Sequence, residues 1–489
     1  MGDHARQFEG PTGTGLVVFT RDLRISDHPA LAAAVAEHRI VVPTFVFDES
    51  ILSGPQNSPN RIGFLLECLG DLDASLVALG AALVIRRGDW VTEVLRLATT
   101  SGAETIHVCD DVSGFARARL ERLGHRASGI GVTVRRHPGV TIVPPGALVP
   151  TGGDHYRVFT PYYRQWIRAP WRSLVPTPSR IVSPPTVPAG TWPTLGDLTN
   201  GSRSSEVVRG GETVARTRLA TWVQGELPRY ADNQNQLAAD TTSRLSPYLR
   251  FGCLSPLDVA MTVDGSPGSE AFVRQLCWRD FNYQILAARP DAAWADYRPR
   301  GDSWESDVAA LGAWRQGRTG YPVVDAAMRQ LRHEGFMHNR ARMIVASFLT
   351  KDLYIDWREG ARHFLELLLD GDLANNNLNW QWSAGTGVDA NPHRVFNPTI
   401  QGRRFDPDGE YVRRYVPELA SIPDGAIHDP DPAVRVELGY PPPIIDHAEA
   451  IQRYRGRLRS RRTVGMKEKV VGSTRPRRTQ AHGSRRLPD

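Results

Sequence analysis

The sequence predicts an α/β protein in two parts, with an N-terminal Rossmann-like domain built on a parallel sheet and joined by a long linker to an all-α domain. Three observations lead to this fold class. Short apolar stretches alternate with helical patterns as far as Arg136, a segment rich in Pro, Gly, Ser and Thr follows, and only helical periodicity remains beyond residue 212. We therefore expect an α/β domain over residues 14–137, a linker over 138–211, a helical domain over 212–459 and a disordered basic tail over 460–489.

The individual elements follow from local patterns. Five stretches rich in apolar and β-branched residues are predicted strands, at 16–19, 40–47, 83–85, 105–108 and 132–134. Between them, His28-Pro29 and Ser58-Pro59 each place a proline at the first position of a helix, with Ser58 as a cap. Helical patterns in the second half occupy residues 214–222, 269–288, 323–333, 339–353 and 358–369.

The net charge of +6 is unevenly distributed. Residues 451–489 hold 13 Lys and Arg against 2 acidic residues, a local charge of +11, so the rest of the chain carries −5. Nucleic-acid binding must therefore rest on individually placed arginines and not on the overall charge. The tail has the composition of a solvated, disordered extension, with non-specific polyanion binding as the alternative.

Cysteine spacing and hydropathy restrict the class of protein. Cys68, Cys109, Cys253 and Cys277 are far apart and form no C-x-x-C pair, which argues against zinc and against a disulfide framework. We therefore expect reduced thiols and no metal. The chain has no apolar run of about 18 residues and no apolar signal segment. A cytoplasmic protein without membrane association is expected.

The stretch from Asp370 to Trp382 is chemically the most unusual in the chain. It holds two carboxylates, four Asn and two Trp directly after an apolar helical run. Asn and Asp are poor core residues, because burying them without partners costs free energy. Trp380 and Trp382 should point in nearly opposite directions, so that one ring packs in the core while the other lines a cavity. A binding site and an Asn-rich loop pinned by two core aromatics both fit these residues.

Other segments of the helical half are equally unusual. Residues 242–249 bunch hydroxyls and one guanidinium before an apolar turn, which is typical of a phosphate site and also of a capped helix. Six motifs follow in order: T-S-R-L-S at 242–246, W-R-D-F at 278–281, M-H-N-R-A-R-M at 337–343, D-W-R-E-G at 356–360, D-G-D-L-A-N-N-N at 370–377 and W-Q-W at 380–382. Together they resemble the photolyase and cryptochrome family, from about Leu16 to about Arg457. The chain is most similar to class I cyclobutane pyrimidine dimer photolyases.

The resemblance implies a helical domain that binds FAD in a folded conformation. The positions that match the phosphate-binding set are Tyr230, Thr242, Ser243, Arg244, Leu245 and Ser246. Phe272 stands at a cofactor position where Trp is common, and Phe336 is a second such exchange. The positions that match the flavin-ring set are Asn339, Arg342, Asp370, Asp372 and Asn376.

Four of these ring positions have particular roles in the family. Arg342 and Asp370 would pair beside the ring, and Asp372 would accept from flavin N3–H. Asn376 would face flavin N5, where photolyases have Asn and plant and animal cryptochromes tend to have Asp or Cys.

The resemblance also implies an electron route and a pocket for damaged DNA. Trp380, Trp357 and Trp304 match a tryptophan chain that carries electrons to photo-excited flavin; each is otherwise a core residue. Trp278, Met343 and Trp382 match the walls around a flipped base, where aromatic rings replace lost stacking. The positions that match phosphate-contacting arginines are Arg279, Arg340, Arg394 and Arg403, with surface salt bridges as the alternative.

The implied function is light-dependent repair of UV-damaged DNA by a monomeric lyase. In this family, reduced FAD passes an electron to a cyclobutane pyrimidine dimer, the ring splits and the electron returns, without a protein acid, base or nucleophile. Residues 19–24 and 110–119 resemble the subgroup with a hydroxy-deazaflavin antenna more than the subgroup with methenyltetrahydrofolate.

Gln275 departs from the pattern of dimer photolyases, which typically have Glu there, whereas (6-4) photolyases and animal cryptochromes have Gln. Gln can donate and accept, so lesion recognition is retained. The (6-4) enzymes place two histidines where this chain has Asn339 and Met343, which favours the cyclobutane lesion. The alternatives are therefore a (6-4) photolyase and, from a different class, a cryptochrome-like blue-light photoreceptor with the basic tail as its output.

Overall fold

The N-terminal part of the molecule is a parallel sheet. The structure, a computed structural model, describes residues 11–55, 57–184 and 186–472, and the side chains in these ranges as far as Arg459. The strand order is β3-β2-β1-β4-β5, and all four strand pairs are parallel. The strands are β1 (Thr14–Phe19), β2 (Ile40–Asp48), β3 (Val84–Gly88), β4 (Thr105–Cys109) and β5 (Thr133–His137). All five predicted strands are confirmed, as is the Rossmann-like arrangement.

Helices connect consecutive strands. They are α1 (Pro29–Glu37), α2 (Glu49–Leu52), α3 (Pro59–Ala78), α4 (Trp90–Ser101) and α5 (Gly114–Ser128). Pro29 and Pro59 begin their helices as predicted. The Ser58 side chain, however, makes no capping bond; its Oγ donates instead to the Glu366 carbonyl at 2.7 Å. This capping prediction was wrong, because a hydrogen bond to the helical domain takes the hydroxyl.

The segment between β5 and the helical domain lies against both domains. It contains α6 (Phe159–Trp166) and α7 (Leu195–Leu198). The Val182 carbonyl accepts from Val41 N of β2 at 2.9 Å, and Tyr156 N donates to the Gln284 side chain at 3.0 Å. The segment therefore fixes the relative position of the sheet and the helices.

Helices build the remainder of the described chain. They are α8 (Glu212–Gly225), α9 (Tyr230–Asn233), α10 (Ser246–Phe251), α11 (Pro256–Met261), α12 (Pro267–Ala288), α13 (Val308–Gln316), α14 (Pro322–Glu334), α15 (Asn339–Ser347), α16 (Trp357–Leu367), α17 (Leu373–Ala384), α18 (Pro398–Phe405), α19 (Glu410–Tyr415), α20 (Pro432–Glu437) and α21 (His447–Gly472). The predicted helix 339–353 is α15 followed by a π-helical turn, Phe348–Asp352. Short 3-10 turns precede α9, follow α12 and precede α20.

The last helix differs from the predicted tail. Because α21 continues to Gly472, the predicted domain limit at 459 falls inside a helix, and the segment expected to be disordered begins as one. Ten of the 26 residues of α21 are Arg, Lys or Glu, which are good helix formers. Residues 473–489 lie outside the described residues.

The two domains share one apolar core, which contains Phe19 and Phe64 from the α/β side and Tyr248 and Phe281 from the helical side. The four cysteines are buried and form no disulfide. Among the residues that the structure describes, no helix combines the length and apolarity that a membrane span requires.

Candidate active site

A cavity of about 580 Å³ opens in the helical domain, bounded by α10, α12, α15 and α17. Its volume lies within the range of about 300 to 1,000 Å³ that is typical of small-molecule sites. The predicted site residues that line it are Tyr230, Thr242, Ser243, Arg244, Leu245, Ser246, Phe272, Gln275, Trp278, Arg279, Asn339, Arg340, Arg342, Met343, Asp370, Asp372, Asn376, Trp380 and Trp382. The four that do not line it are Trp304, Trp357, Arg394 and Arg403.

An ion pair lies at the end of the cavity that is formed by Arg342, Asp370, Asp372 and Asn376, which we call the inner end. Arg342 Nη2 lies 2.8 Å from Asp370 Oδ2, the pairing that the resemblance implied. The second oxygen, Asp370 Oδ1, is buried and has no hydrogen-bond partner among the described residues. Because buried carboxylate oxygens are nearly always hydrogen-bonded, this atom is expected to accept from a bound group.

Asp372 is held from three directions. Its Oδ1 caps α17 by accepting from Asn375 N at 2.9 Å. Its Oδ2 accepts from Arg21 Nη2 at 2.6 Å and from the Tyr283 hydroxyl at 2.8 Å. Burial alone would raise the pKa of Asp372, but the guanidinium groups of Arg21 and Arg250 outweigh burial and hold that pKa well below its usual value. The carboxylate is therefore charged and rigidly placed.

Asn376 also has a fixed orientation. Its Nδ2 donates to the Ala361 carbonyl at 3.0 Å and to Asn377 Oδ1 at 2.9 Å. Because both N–H groups are directed at protein acceptors, the carbonyl oxygen is the atom that a bound group could use.

The turn before α10 carries the hydroxyls of the predicted phosphate site. Arg244 in this turn has a positive φ of 49°. Its guanidinium pairs with Asp240 at 2.5 Å and Glu334 at 2.8 Å and lies over the Phe336 ring. The carboxylates thus neutralise Arg244, which leaves the hydroxyls and backbone N–H groups as the local anion-binding groups.

One face of α12 forms an aromatic wall. The Trp278 ring stacks on Phe159 with 3.6 Å between ring centroids and 2° between planes. Arg274 lies over the same Phe159 ring, 5.0 Å from its centroid. Trp382 lines the cavity from α17, and the Arg394 guanidinium lies 5.0 Å from its ring centroid. The indoles of Trp278 and Trp382 thus line the cavity from different helices, while Trp380 borders the cavity and also packs in the core against Phe364.

The predicted DNA-contacting arginines divide into two groups. Arg279 is mostly buried and donates to the carbonyls of Val140 and Leu249, which gives it a packing role. Arg340 donates to Asn235 Oδ1. Burial and the nearby charges of Arg404 and Arg394 lower the pKa of Arg340. The guanidinium groups of Arg340 and Arg404 lie 4.4 and 5.1 Å from the centroid of the same Phe405 ring, and we call Arg340, Arg394 and Arg404 the basic rim.

Arg403 is not part of the basic rim. Its guanidinium is 53% exposed and lies 3.9 Å from Asp429. Arg403 and Arg404 are consecutive residues of α18 and point in different directions, and the DNA contact predicted for Arg403 stays a prediction.

The three predicted electron-transfer tryptophans belong to one apolar cluster. Trp380 packs edge-on against Phe364 and Trp314, with centroid separations of 4.9 and 6.0 Å. Trp357 is fully buried and donates to Asp296 at 2.8 Å. Trp304 is half-buried against Tyr354. Their electron-transfer role stays a prediction.

Sequence reasoning did not name Tyr283, which lines the cavity. It also did not name three side chains beside lining residues: Arg21, which contacts Asp372, Phe159, which stacks on Trp278, and Arg404, which lies near Arg340. For Tyr283 a signal was available, since residues 275, 279 and 283 are four apart and share one helix face. Arg21 and Phe159 come from the α/β domain and the linker, and no spacing in the helical half points to them.

Comparison with known proteins identifies the family of the chain. A family model described as the FAD binding domain of DNA photolyase matches residues 272–460, and one described as DNA photolyase matches residues 16–180. A deoxyribodipyrimidine photo-lyase of Streptomyces griseus is 49% identical over 446 residues, covering 90% of this chain and 98% of that protein. The corresponding Escherichia coli protein is 35% identical over 463 residues, with coverage of 89% and 96%.

Solved structures give the same result. A bacterial class III photolyase from Agrobacterium tumefaciens superposes with a TM-score of 0.86 at 34% identity, over 94% of this chain and all of that one. A Synechocystis cryptochrome superposes with a TM-score of 0.85 at 29% identity, over 92% and 99% of the two chains. The chain belongs to the DNA photolyase family. Its helical part is an FAD-binding domain; the class within the family stays a prediction.

Proposed function

We propose that this chain is a light-dependent DNA repair enzyme that splits cyclobutane pyrimidine dimers by electron transfer from reduced FAD to a lesion flipped out of the duplex. The observation that carries this function is the composition of the cavity. Paired charges and amides line its inner end, Trp278 and Trp382 line its walls, and the basic rim lies beside them.

The inner end fits the flavin. Asp370 has a buried oxygen without a partner among the described residues, Asp372 is a fixed carboxylate, and Asn376 offers a carbonyl oxygen. An isoalloxazine ring carries N–H and carbonyl groups that complement such a set. Reduced FAD supplies the light-absorbing electron donor when bound.

The walls fit two adjacent bases of one strand that have been flipped out of the duplex. Extruding bases from a duplex costs stacking free energy, and aromatic side chains restore part of it, roughly 1 to 3 kcal/mol per base. Gln275 lines the same cavity and can donate to and accept from pyrimidine edges. Cations of the basic rim would contact the phosphates on either side of the lesion.

The tryptophan cluster supports a route for electrons into the cavity. Trp380 lines the cavity and Trp304 reaches the surface, while Trp357 lies buried in the same apolar cluster. We propose that these three residues re-reduce oxidised flavin. Trp357→Phe should then slow photoreduction in the presence of an external reductant while leaving FAD content unchanged.

The decisive experiment is a repair assay. Photoreduced protein is incubated with an oligonucleotide that carries one cyclobutane thymine dimer, in light and in darkness, beside a duplex with a (6-4) lesion. We expect light-dependent loss of the cyclobutane lesion alone, with Gln275 tolerated. Trp192→Ala serves as the control variant, since Trp192 is an exposed linker residue outside the cavity.

Two other outcomes separate the alternatives. Repair of the (6-4) lesion alone would identify the second photolyase class. Repair of neither lesion by protein that binds FAD and photoreduces would contradict the enzyme proposal and favour a photoreceptor.

We further propose a second chromophore in the α/β domain, with a hydroxy-deazaflavin preferred over methenyltetrahydrofolate. The support is the resemblance at residues 19–24 and 110–119. A related archaeal photolyase from Sulfolobus tokodaii contains two FAD molecules, described as implying a novel light-harvesting cofactor. Mass spectrometry of chromophores released from the native protein tests the assignment, and FAD as the only chromophore released would contradict it.

A further inference from the structure

A cluster of three histidines and one glutamate lies in the α/β domain, away from the cavity. Glu37 is the last residue of α1 and His38 follows it, while His107 lies in β4 and His137 ends β5. His107 is fully buried and His38 is 8% exposed. The expected absence of metal was based on cysteine spacing, and residues 38 and 107 are too far apart in sequence to form a recognisable motif.

The ligand atoms of this cluster are spaced as around a metal ion. His38 Nε2 and His107 Nε2 are 3.2 Å apart, and Glu37 Oε2 lies 4.0 and 3.8 Å from them. For these three separations, the point equidistant from the atoms lies about 2.1 Å from each, against zinc distances of about 2.0 to 2.1 Å for imidazole nitrogen and about 2.0 to 2.2 Å for carboxylate oxygen. An ion could therefore bind with only small side-chain movements.

Two neighbouring side chains, His137 and Arg135, contact the side chains that would bind the ion. His107 Nδ1 lies 3.1 Å from His137 Nε2, so the ring nitrogen that faces away from Glu37 has a partner that can fix its tautomer. The Arg135 guanidinium binds Glu37 at Oε1, 2.6 Å away, and leaves Oε2 directed at the histidines. The positive charge of Arg135 would repel a bound cation, but the negative charge of the Glu37 carboxylate lies between them and offsets this repulsion.

The backbone also makes room for the cluster. A Cβ atom on Gly15 of β1 would lie 2.5 Å from Cδ2 of His38, so glycine is needed for the imidazole to occupy this place. His38 Nδ1 is buried without a hydrogen-bond partner among the described residues.

We propose that Glu37, His38 and His107 form a binding site for a divalent transition-metal ion, with Zn²⁺ as the expected ion. Imidazole and carboxylate are ligands that zinc favours. Because the Glu37 side chain is 34% exposed, a water molecule has access to the fourth position. The ion would join the end of α1 to β4 and stabilise the domain.

The site is tested with full-length, untagged protein, because a polyhistidine tag would itself bind zinc. After chelator treatment and dialysis, Zn²⁺ is titrated calorimetrically, and Co²⁺ is added separately to record the visible absorption of a tetrahedral site. We expect one equivalent of Zn²⁺ to bind and to raise the melting temperature. Glu37→Gln and His38→Gln should each weaken binding by more than about tenfold, whereas His125→Gln, at an exposed histidine of α5, should bind like the wild type.

Unchanged flavin absorbance in each variant shows that the fold is retained. Absence of stoichiometric binding by the wild-type protein would overturn the proposal and leave a metal-free hydrogen-bonded histidine chain. Wild-type affinity in both Glu37→Gln and His38→Gln would also overturn it, since the ion would then lie elsewhere, for example at the buried group of Asp22, His28 and Cys109.

Discussion

The inner end of the cavity and the basic rim both carry arginine, but in opposite electrostatic settings. At the inner end two guanidinium groups have carboxylate partners, Arg21 with Asp372 at 2.6 Å and Arg342 with Asp370 at 2.8 Å. At the rim, Arg340, Arg394 and Arg404 lie near one another, and their mutual repulsion contributes to the lowered pKa of Arg340. Paired charges suit a resident ligand whose position must be fixed, whereas clustered like charges suit a polyanion that binds and leaves.

The difference predicts that the two regions respond differently to mutation. Breaking a buried pair leaves an uncompensated charge and should reduce stability or flavin retention. Removing one rim charge should leave stability unchanged and reduce binding to any DNA.

Arg21→Met should have the largest effect. The substitution leaves Asp372 and Asp111 without the guanidinium that lies 2.6 and 3.1 Å from them. Because both carboxylates are nearly buried, we expect the free energy of unfolding to fall by roughly 3 to 5 kcal/mol, measured by urea unfolding at pH 7. Arg87→Met is the matched control, since Arg87 and Glu49 form an exposed pair that should contribute at most about 1 kcal/mol.

The pH dependence of this difference sharpens the test. The pKa of Asp372 is depressed in the folded protein, so its pairing stabilises the fold at pH values above the unfolded pKa of about 3.9, and the stabilisation is lost as the pH falls through the folded value. The difference between wild type and Arg21→Met should therefore be largest near neutral pH and shrink below about pH 4. A difference that is constant from pH 7 to pH 3 would show that lost packing, and not charge, is responsible.

Asp370→Asn should reduce flavin retention more than stability. The amide is nearly isosteric, but it leaves Arg342 without its anionic partner and changes an atom that faces the cavity. A charged hydrogen bond is worth about 1.5 to 3 kcal/mol, so FAD affinity should fall by about tenfold to a hundredfold. The FAD to protein absorbance ratio after dialysis measures this. Asp291→Asn, in an exposed pair with Arg289, should keep the wild-type ratio.

The fold was more predictable than the site because its signals are local. Strand and helix periodicity depend on neighbouring residues, and β1 to β5 were placed correctly to within a few residues. The π-helical turn Phe348–Asp352 was missed, because it depends on how the chain ends α15 and not on an amphipathic pattern. The continuation of α21 was not predicted, because the content of Arg, Gly, Ser and Pro in the tail was taken to indicate disorder and the helix propensity of residues 460–472 was not considered separately.

Within the site, the sequence predicted the residues that belong to motifs, but it did not predict the residues that hold them in place. Arg21 and Asp372 are 351 positions apart, and nothing in either local sequence indicates their contact. Arg244 shows that a motif residue can be predicted correctly while its charge environment is not. Its motif predicted a phosphate-binding guanidinium, but Asp240 and Glu334 neutralise that charge in the fold.

The stacked pair of Trp278 and Phe159 can be disrupted by a substitution at either residue. Trp278→Ala should weaken binding to lesion DNA by roughly 1 to 3 kcal/mol. Phe159→Leu removes the ring that stacks on Trp278 at 3.6 Å and should cost about 0.5 to 1.5 kcal/mol. If Phe159 acts only through Trp278, the double variant should be no weaker than Trp278→Ala alone. Additive losses, or equal losses on undamaged duplex, would contradict a positioning role.

Arg404→Gln should have the smallest effect. Arg404 is an exposed residue of the basic rim beside Arg340, so its loss should remove about one phosphate contact. The slope of log affinity against log salt should become shallower by about 1, equally for damaged and undamaged duplexes, while FAD content and the urea midpoint stay unchanged. Arg403→Gln is the matched control, because the neighbouring guanidinium faces Asp429 instead of the rim. If Arg403→Gln changed the slope as much as Arg404→Gln, the basic surface would be diffuse, and the contrast between a fixed inner end and a defined rim would fail.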